Sequence, residues 1–415
     1  MTERGRWNWE PGKKIVADVA VLPGQYSEVH EFAASPDGEK IAVPVVREPG
    51  QVAVWVNGET WESEFERAWN LRFTPDGRLV ALVRADDMWS VAVDGIKWKD
   101  DYDFAWNLKL GAGGTIAVQV KQGMEYAMAI DGKAWEKKFI SLRDYVLGPD
   151  GKSVAAVVQV VKLAEADIFK FMEGTWSVAV DGVPWDEKFI NVYAPVFSPD
   201  GKRVAAEVRL DIAEYTVAEG GAPWKNRFGC TWEPLYRSGS DKLLVPVKVA
   251  GGWTLAENGA PIWDGRYVQL WHQRLSANDK RIAAVVATAY GEWTVAVDDL
   301  PWKCTFEDIV LPPVFSPDGR RIAAAGKSDL RWGIAVDGRK WNTDFEMVWE
   351  PVFSPDSAHV AAKTENAGIF RVMLDGKPFG PGLQAMWEPV FSPDDKHLLI
   401  KGIEDGKFIR EVIAL

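Results

Sequence analysis

Apolar residues recur along the chain in short alternating runs that are separated by polar turns. In "VAVDG" (residues 91–95) the apolar run precedes Asp-Gly, a strong signal for a β-hairpin. In "FSPDG" (residues 197–201) proline presets φ and glycine takes a positive φ, which predicts a tight turn. A strand-like run such as "RVAAEV" (residues 203–208) then follows. The pattern predicts short antiparallel strands.

The S-P-D-G phrase recurs through almost the whole chain, in complete or degenerate copies. Successive copies lie 37–40 residues apart except for one gap of 50, and they begin at Ser35, Thr74, Gly111, Gly148, Ser198, Ser238, Ser276, Ser316, Ser354 and Ser392. A fixed period indicates an array of supersecondary units. Each unit contains an apolar strand before the turn, the run after it, the strand of the Asp-Gly hairpin and a last short strand with the pattern Trp-x-x-x-Phe. Four antiparallel strands in about 40 residues form one propeller blade. The sequence therefore predicts an all-β fold, a β-propeller of about ten four-stranded blades.

The two ends of the chain predict how the propeller closes. The last repeat matches the first three strands of a unit and lacks the fourth, whereas Lys13–Val21 has strand character and precedes the first repeat. We therefore expect this N-terminal strand to complete the last blade and close the ring, which hides both edges. The predicted organisation is a single domain of residues 1–415 with an N-terminal arm of residues 1–12. The sequence leaves open whether the ten repeats form one ring or two.

The 22 tryptophans fall mainly at three positions of the repeat. The first aromatic position, five residues before the Asp-Gly turn, holds Trp89, Trp176, Trp253, Trp293 and Trp332, with Tyr126, Tyr215 and Phe370 as substitutes. The second, just after that turn, holds Trp61, Trp98, Trp135, Trp185, Trp224, Trp263, Trp302 and Trp341, with Phe379 last. The third, before the S-P-D-G turn, holds Trp69, Trp106, Trp232, Trp271, Trp349 and Trp387. Recurrence once per blade favours packing between neighbouring blades over a surface for stacking ligands. Trp7 and Trp9 lie outside these positions, beside basic residues of the arm, and are candidate partner-binding residues.

The gap of 50 residues places an insertion in the fourth repeat, at about residues 159–175. Val161, Ala164, Ile168 and Met172 have spacings of 3, 4 and 4, which predict one face of a short helix. Phe169 and Phe171 add apolar surface. The insertion either folds back over the rim of the propeller or docks a partner, since irregular insertions often carry binding. The candidate partner-binding residues here are Ile168, Phe169, Phe171 and Met172.

Polar residues of the repeat provide few candidates for chemistry. The repeated aspartates occupy turn positions, and no D-x-D-x-D-G cluster surrounds them. A second polar set directly follows the third aromatic position: Asn70, Asn107, Glu233, His272, Glu350 and Glu388. If their strand is innermost, these side chains line the central channel, either as a solvated wall or as a site for a cation or a basic peptide. The four histidines lie in different repeats, and no nucleophile elbow, Walker loop or haem-attachment motif is present. We therefore predict no catalytic residue, metal or cofactor, although a propeller can assemble an active site from separate blades.

Bulk properties narrow the class of protein further. The chain has 60 Asp and Glu against 48 Lys and Arg, a net charge of −12, which argues against a nucleic-acid binder. Its two cysteines, Cys230 and Cys304, form no disulfide framework. The N-terminal residues lack a secretory signal, and no run approaches the ~18 apolar residues of a transmembrane helix. We expect a cytoplasmic protein without a membrane span of its own.

Two resemblances add to this interpretation. The "FSPDG[KR]x[VI]A" phrases resemble the WD40-like repeats of TolB-type propellers, which implies the same fold. The Trp-rich composition and the "WxVAVDGxxW" phrases at Trp89, Trp176, Trp293 and Trp332 resemble a narrower family, the tryptophan-rich TmcD subunits of the Tmc transmembrane electron-transfer complex of sulfate-reducing bacteria. That resemblance implies a cofactor-free accessory subunit. Its implied partners are a membrane cytochrome b, an iron–sulfur protein and a multihaem cytochrome c.

The first hypothesis is therefore a non-catalytic scaffold subunit of a membrane-associated electron-transfer complex, placed on the cytoplasmic face of the inner membrane. The alternative is an enzyme, or a binder of small molecules or carbohydrates, that uses the propeller channel. The sequence does not name the partner.

Overall fold

The computed structural model describes residues 3–164 and 167–415. Over these residues the ten repeats form ten antiparallel sheets. This arrangement confirms the predicted all-β class and the ten four-stranded blades of a β-propeller. The chain forms two compact units: unit 1 comprises Met1–Glu136, Ala367–Met373 and Pro378–Leu415, and unit 2 comprises Lys137–Asn366 and Leu374–Lys377. The assignment of one domain to the whole chain stays a prediction.

Unit 1 contains the sheets of the first three repeats and the tenth. The first three repeats contribute β2 (Glu28–Val29), β3 (Ala33–Ala34), β4 (Ile41–Glu48), β5 (Gln51–Val56) and β6 (Glu59–Thr60); β7 (Arg67–Phe73), β8 (Leu79–Ala85), β9 (Met88–Val93) and β10 (Ile96–Lys97); and β11 (Phe104–Leu110), β12 (Ile116–Gln122), β13 (Glu125–Ile130) and β14 (Lys133–Ala134). The tenth sheet consists of β1 (Gly12–Asp18), β42 (Ala385–Met386), β43 (Val390–Phe391), β44 (His397–Glu404) and β45 (Lys407–Ala414). Short helices lie at Glu3–Arg6, Leu22–Gln25 (α1) and Ala112–Gly114.

Unit 2 contains the sheets of repeats four to eight. Their strands are β15 (Ser141–Leu147), β16 (Val154–Gln159), β17 (Trp176–Val180) and β18 (Val183–Pro184); β19 (Asn191–Phe197), β20 (Val204–Asp211), β21 (Glu214–Glu219) and β22 (Ala222–Pro223); β23 (Cys230–Thr231), β24 (Leu235–Tyr236), β25 (Leu243–Val249), β26 (Gly252–Glu257) and β27 (Ala260–Pro261); β28 (Gln269–Leu275), β29 (Ile282–Ala289), β30 (Glu292–Val297) and β31 (Leu300–Pro301); and β32 (Ile309–Val310), β33 (Val314–Phe315), β34 (Ile322–Ser328), β35 (Arg331–Val336) and β36 (Arg339–Lys340). The division between the units falls in the ninth repeat, whose strands are β37 (Met347–Val348), β38 (Val352–Phe353), β39 (Val360–Asn366), β40 (Ile369–Leu374) and β41 (Lys377–Leu383).

Short polar side chains hold the turns of each blade. In the Asp-Gly hairpins the aspartate bonds to the second strand, as Asp94 Oδ1 accepts a hydrogen bond from Leu79 N at 2.8 Å. In the S-P-D-G turns the serine hydroxyl bonds to the aspartate, as Ser198 Oγ lies 2.6 Å from Asp200 Oδ1. The same hydroxyl accepts a hydrogen bond from Arg203 N at 3.0 Å. These contacts confirm that the repeated aspartates serve the backbone of the turns.

The fourth strand lies earlier in the repeat than predicted. In the second repeat β10 pairs with β9 directly after the Asp-Gly turn, and the Trp-x-x-x-aromatic segment of residues 98–102 follows it. Trp98 N still donates to Val91 O of β9 at 2.8 Å, and the chain then leaves the sheet until Tyr102, which exchanges backbone hydrogen bonds of 2.7 and 2.8 Å with Trp89. The apolar residues of the segment therefore mark a crossing towards the next blade, not a strand.

The N-terminal strand completes the last blade, as predicted. β1 pairs antiparallel with β45 and becomes the outer strand of the tenth sheet. Ala17, Val19 and Leu22 are buried in one core cluster with Phe408 of β45. This contact joins the two ends of the chain within unit 1.

Two buried cations of the tenth repeat bind the S-P-D turn of the first repeat. Lys401 Nζ donates to Pro36 O at 2.7 Å, and Arg410 Nε donates to Asp37 O at 2.9 Å. Lys401 is only 6 % exposed, and its burial lowers the pKa of the ammonium to about 8. Carbonyl oxygens thus replace most of the water around these charges.

The insertion of the fourth repeat is the connection between β16 and β17. The predicted helix from Val161 to Met172 is wrong at Val161 and Ala164, because α2 covers only Ile168–Met172, and residues 165 and 166 lie outside the described part of the chain. The N–H groups of Val160 and Val161 lie 2.9 and 3.4 Å from Thr175 O, so this stretch continues the hairpin ladder. With five residues, α2 is the longest helix in the described chain, and none of the described helices can span a membrane.

Candidate functional site

Members of the predicted polar set lie at a bulge on the first strand of their sheets. Asn70, Asn107 and His272 have φ values of 53°, 52° and 53°. At these residues the register against the second strand shifts by one position. Asn and His enter the left-handed region more readily than most residues, and an extra residue in one strand is typical of a β-bulge. Backbone geometry therefore explains part of the residue choice at this position.

In unit 2 the bulge residues of adjacent blades meet. Glu233 Oε1 and His272 Nδ1 lie 3.7 Å apart, and the contact with His272 holds the pKa of Glu233 below its usual range. Glu350, from the same set, is exposed. Asp144 lies at the equivalent position of β15 but was missed by the sequence analysis, because Arg143 replaces the preceding tryptophan.

In unit 1 the bulge residues bond to neighbouring polar side chains. Asn70 Oδ1 accepts a hydrogen bond from Arg72 Nε at 3.1 Å, and Asn107 Nδ2 donates to Gln119 Oε1 at 3.2 Å. Glu388 is exposed, and so is Glu31, which the sequence analysis missed because His30 stands before it instead of tryptophan. A common channel lined by these residues stays a prediction.

The second aromatic position packs the blades against each other. Six of its indoles lie on the turn glycine of the next repeat, so that a Cβ added to Gly95 would stand 3.2 Å from Trp61 Cγ. Equivalent pairs are Trp98–Gly132, Trp185–Gly221, Trp224–Gly259, Trp302–Gly338 and Trp341–Gly376. These contacts confirm the prediction of packing between blades for this position.

The first and third aromatic positions contact each other inside a blade. Trp89 lies 6.2 Å from Trp69 of its own sheet and 5.5 Å from Phe104 of the next sheet, both in edge-to-face geometry. In unit 2 Trp271 and Trp293 stack at 4.7 Å. Most of these rings are partly buried, but Trp69 remains 43 % exposed. Packing therefore accounts for most of the tryptophans and leaves Trp69 accessible to a ligand.

The insertion presents apolar residues to solvent. Ile168 is 63 % and Phe169 is 82 % exposed, and Met172 is 36 % exposed. Phe171 is half-buried. Asp167 caps α2, since its carboxylate accepts a hydrogen bond from Lys170 N at 3.1 Å. The sequence-predicted apolar residues of the insertion are thus divided between exposed side chains and the half-buried Phe171.

The tryptophans of the N-terminal arm contact each other. Trp7 and Trp9 stack with a centroid separation of 5.9 Å, and both are half-buried. Trp9 Nε1 donates to Arg4 O at 2.9 Å, while Arg410 of β45 donates to Asn8 O. The arm is therefore attached to the tenth blade, and partner binding by its indoles stays a prediction.

A buried carboxyl in unit 2 was not singled out from the sequence. Glu207 lies on β20, where most other repeats have an apolar residue, and is 5 % exposed. Burial raises the pKa of Glu207 to about 8. Burial raises the pKa of the Cys230 thiol, and the nearby Glu207 adds to the shift. The sequence signal that could have identified this buried carboxyl is a glutamate in the middle of an otherwise apolar strand.

A cleft of ≈ 1370 Å³ opens in unit 1 beside the first and second blades. Asn70 and Glu388 of the predicted set line it, together with the exposed face of Trp69. Val46 and Val52 of the first repeat form part of its apolar wall. The cleft thus combines hydrophobic walls with a small number of polar groups, as ligand sites commonly do.

Comparisons with known proteins identify no family for this chain. No protein-family model and no curated protein matches the chain. Similar solved structures include a eukaryotic initiation factor (13 % identity over 90 % of this chain and 97 % of that chain, TM-score 0.46) and the Dos1 propeller (12 % identity over 96 % and 94 %, TM-score 0.37). The tricorn protease matches with 15 % identity over 90 % of this chain and 51 % of its own, at a TM-score of 0.32. At these values the similarities carry no argument about function.

Proposed function

We propose that this chain is a non-catalytic interaction subunit, which docks to partner proteins through the insertion of its fourth repeat. β-Propellers are repeat folds with extended surfaces, typical of protein-interaction scaffolds. The observation that carries the proposal is the pair of adjacent apolar side chains, Ile168 and Phe169, exposed by 63 % and 82 %. Both lie in the one repeat whose spacing is lengthened.

The insertion holds this pair in a defined place. The hairpin ladder continues up to Val160 and Thr175, whose N–H and C=O groups are 2.9 Å apart. The cap by Asp167 and the hydrogen bond from Phe171 N to Asp167 O, at 3.1 Å, then fix the start of α2. An apolar anchor that is already ordered loses less conformational entropy on binding than a flexible one. Aromatic side chains such as Phe169 bury a large area at protein interfaces.

We further propose that the partners belong to a membrane-associated electron-transfer complex on the cytoplasmic face of the membrane. The support is the resemblance of the "WxVAVDGxxW" phrases to the tryptophan-rich subunits of that kind of complex. In this proposal a membrane cytochrome b, an iron–sulfur protein and a multihaem cytochrome c supply the redox centres. The chain itself contributes binding surface and no cofactor.

The test is purification of the tagged chain from its native source after mild solubilisation of membranes. The wild-type protein should retain subunits with haem absorbance and bound iron. The double variant Ile168→Ser, Phe169→Ser should retain at least about tenfold less of these subunits than the wild type. The reason is that burial of each side chain stabilises a contact by roughly 1.5–3 kcal/mol. The matched control is Val183→Ser, which removes an apolar side chain 70 % exposed at a regular turn of the same blade.

The outcomes separate the two parts of the proposal. Full retention of partners by the double variant contradicts docking through the insertion. Capture of partners without haem or iron keeps the docking surface and overturns the redox complex. A wild-type chain that purifies alone and turns over a substrate in a panel of hydrolase assays would favour the enzyme alternative.

A further inference from the structure

The first repeat lacks the ring that other repeats place at the first aromatic position. In strand register this position is the second residue of the third strand, or the first in β17. It is aromatic in repeats two to ten: Trp89, Tyr126, Trp176, Tyr215, Trp253, Trp293, Trp332, Phe370 and Phe408. In the first repeat the residue is Val52. Its third aromatic position holds His30 instead of tryptophan. The backbone N–H of His30 donates to Pro44 O at 3.1 Å. Two neighbouring positions that hold indoles in the second repeat are therefore filled by smaller side chains in the first.

The role of the missing ring is visible in the next blade. There Trp89 fills the space between its own sheet and the next one, in contact with Trp69 at 6.2 Å and Phe104 at 5.5 Å. Val52 faces the second blade in the same way, because it belongs to one core cluster with Phe65 and Ala68. The isopropyl group of Val52 reaches less far than an indole, so part of the space between the first and second sheets is left unfilled.

The cleft of unit 1 occupies this place. Val52, Ala68 and Phe73 contribute to its apolar wall, and Trp69 stands at it with 43 % of its surface exposed. The volume of ≈ 1370 Å³ exceeds the roughly 300–1,000 Å³ of typical small-ligand pockets. The site therefore has room for an aromatic ring together with the chain that carries it.

The charges at the cleft suit a peptide better than a strongly charged ligand. Glu28 and Glu31 are exposed there, and among the described residues neither forms an ion pair. Arg67 and Arg72 line the same cleft and likewise form no ion pair among the described residues, whereas Arg84 pairs there with Glu66 and Glu388 adds a further carboxylate, so both signs are present. Carboxylates accept hydrogen bonds from peptide N–H groups, and guanidinium groups donate to peptide carbonyls. A polyanion or a polycation would meet two charges of its own sign.

We propose that the cleft of unit 1 binds an aromatic side chain (Trp, Tyr or Phe) carried by a peptide segment of a partner protein. The bound ring takes the place of the aromatic residue that the first repeat lacks and packs against Trp69. Backbone groups of the segment bond to the charged side chains at the rim. This site is separate from the insertion, and it does not depend on the redox complex proposed above.

The test measures binding of the blocked tripeptide acetyl-Gly-Trp-Gly-amide to the full chain by ligand-observed NMR, with acetyl-Gly-Ala-Gly-amide as the control ligand. The Trp peptide should bind at least about tenfold more tightly than the Ala peptide. Val52→Trp supplies the missing ring from the protein itself and should weaken binding of the Trp peptide at least tenfold. Val52→Ala keeps the cleft open and should bind as the wild type does.

A second variant keeps the proposal testable if Val52→Trp does not fold. Trp69→Ala removes the exposed ring at the cleft and should weaken binding of the Trp peptide about tenfold. Equal binding of the two peptides, or unchanged binding by both Val52→Trp and Trp69→Ala, would overturn the proposal. Preferential binding of a neutral oligosaccharide, such as maltohexaose, at this site would also overturn it and assign the cleft to sugars.

Discussion

The hydrogen bonds of single side chains show that the repeated aspartates of the Asp-Gly turns serve the structure of the turns. Asp94 accepts a hydrogen bond from Leu79 N at 2.8 Å, and Asn57 forms the equivalent bond with Ile41 N at the same distance. An amide replaces the carboxylate here without loss of the contact, so the position requires an acceptor and not a charge. Asp94 and Asn57 have φ values of 48° and 49°, a conformation that Asp and Asn tolerate better than most residues.

Glu207 makes a prediction about pH at the residue scale. Its pKa is about 8 in the folded chain, against an ordinary value of 4.5, because the carboxyl is buried. Between these values the folded state holds a proton that the unfolded state has lost. The contribution of Glu207 to the free energy of unfolding is therefore fully present below pH 4.5 and is lost as the pH rises towards 8. Between pH 5.5 and 8.5 the loss should be up to about 3 kcal/mol.

Urea denaturation of the wild type and Glu207→Gln at pH 5.5 and 8.5 checks this prediction. Glutamine cannot ionise, so the variant should gain stability relative to the wild type as the pH rises. Glu219→Gln serves as the matched control, because Glu219 lies on the next strand, β21, and is less buried. Parallel pH profiles for wild type and Glu207→Gln would show that burial does not shift the pKa of this carboxyl.

At the scale of elements, the packing between neighbouring blades depends on an indole that lies over a glycine. Gly95 has a φ of +86°, and a Cβ there would stand 3.2 Å from Trp61 Cγ. Gly77 has a φ of +82°, but its Cβ would meet no atom within 4 Å. Gly77→Ala should therefore cost only the backbone strain, about 1 kcal/mol. Gly95→Ala should cost a further 1–2 kcal/mol, since the indole must move. Urea denaturation measures the free energy of unfolding of both variants. Equal losses of stability would show that the Trp61 indole moves at no cost.

The elements of the repeat were predictable because local turn chemistry defines them. The Asp-Gly and S-P-D-G turns recur with nearly constant spacing, so the strands before and after them could be assigned, including β1 at the end of the last sheet. The fourth strand was placed too late, because the tryptophans after Asp-Gly are apolar for packing between blades and not for strand pairing. The helix of the insertion was predicted too long, since periodicity does not report that Val160 and Val161 pair with Thr175.

The candidate site was less predictable than the fold. Glu31 and Asp144 share the place of the polar set, but His30 and Arg143 precede them and break the pattern of tryptophan. The cleft lies where Val52 replaces the aromatic residue of the other repeats. This replacement can be recognised only after the repeats are aligned by strand register. Exposure is likewise a tertiary property: Ile168 and Phe171 look equivalent in sequence, whereas only the first is exposed.

At the scale of the whole molecule, the two ends of the chain stabilise each other within unit 1. β1 covers the edge of β45, and Leu22, which is fully buried, fills the core beside Phe408. In repeat folds each unit is stabilised mainly by its neighbours. Loss of the N-terminal strand should therefore act first on unit 1, which contains the tenth and first sheets.

Deletion of residues 1–25 tests this dependence. The truncation removes the strand pairing of β1 and the buried side chains of Ala17, Val19 and Leu22, a loss of about 5 kcal/mol or more. The melting temperature should fall by about 10 °C or more. Hydrogen exchange should accelerate in β44 and β45 of unit 1, while amides of β20 and β25 in unit 2 stay protected, because stability is lost locally before it is lost globally. Deletion of residues 1–6 leaves β1 intact and should change neither measurement. An unchanged melting temperature after the longer deletion would mean that β45 is stable as an open edge, and uniform acceleration in both units would mean that the chain unfolds as one cooperative body.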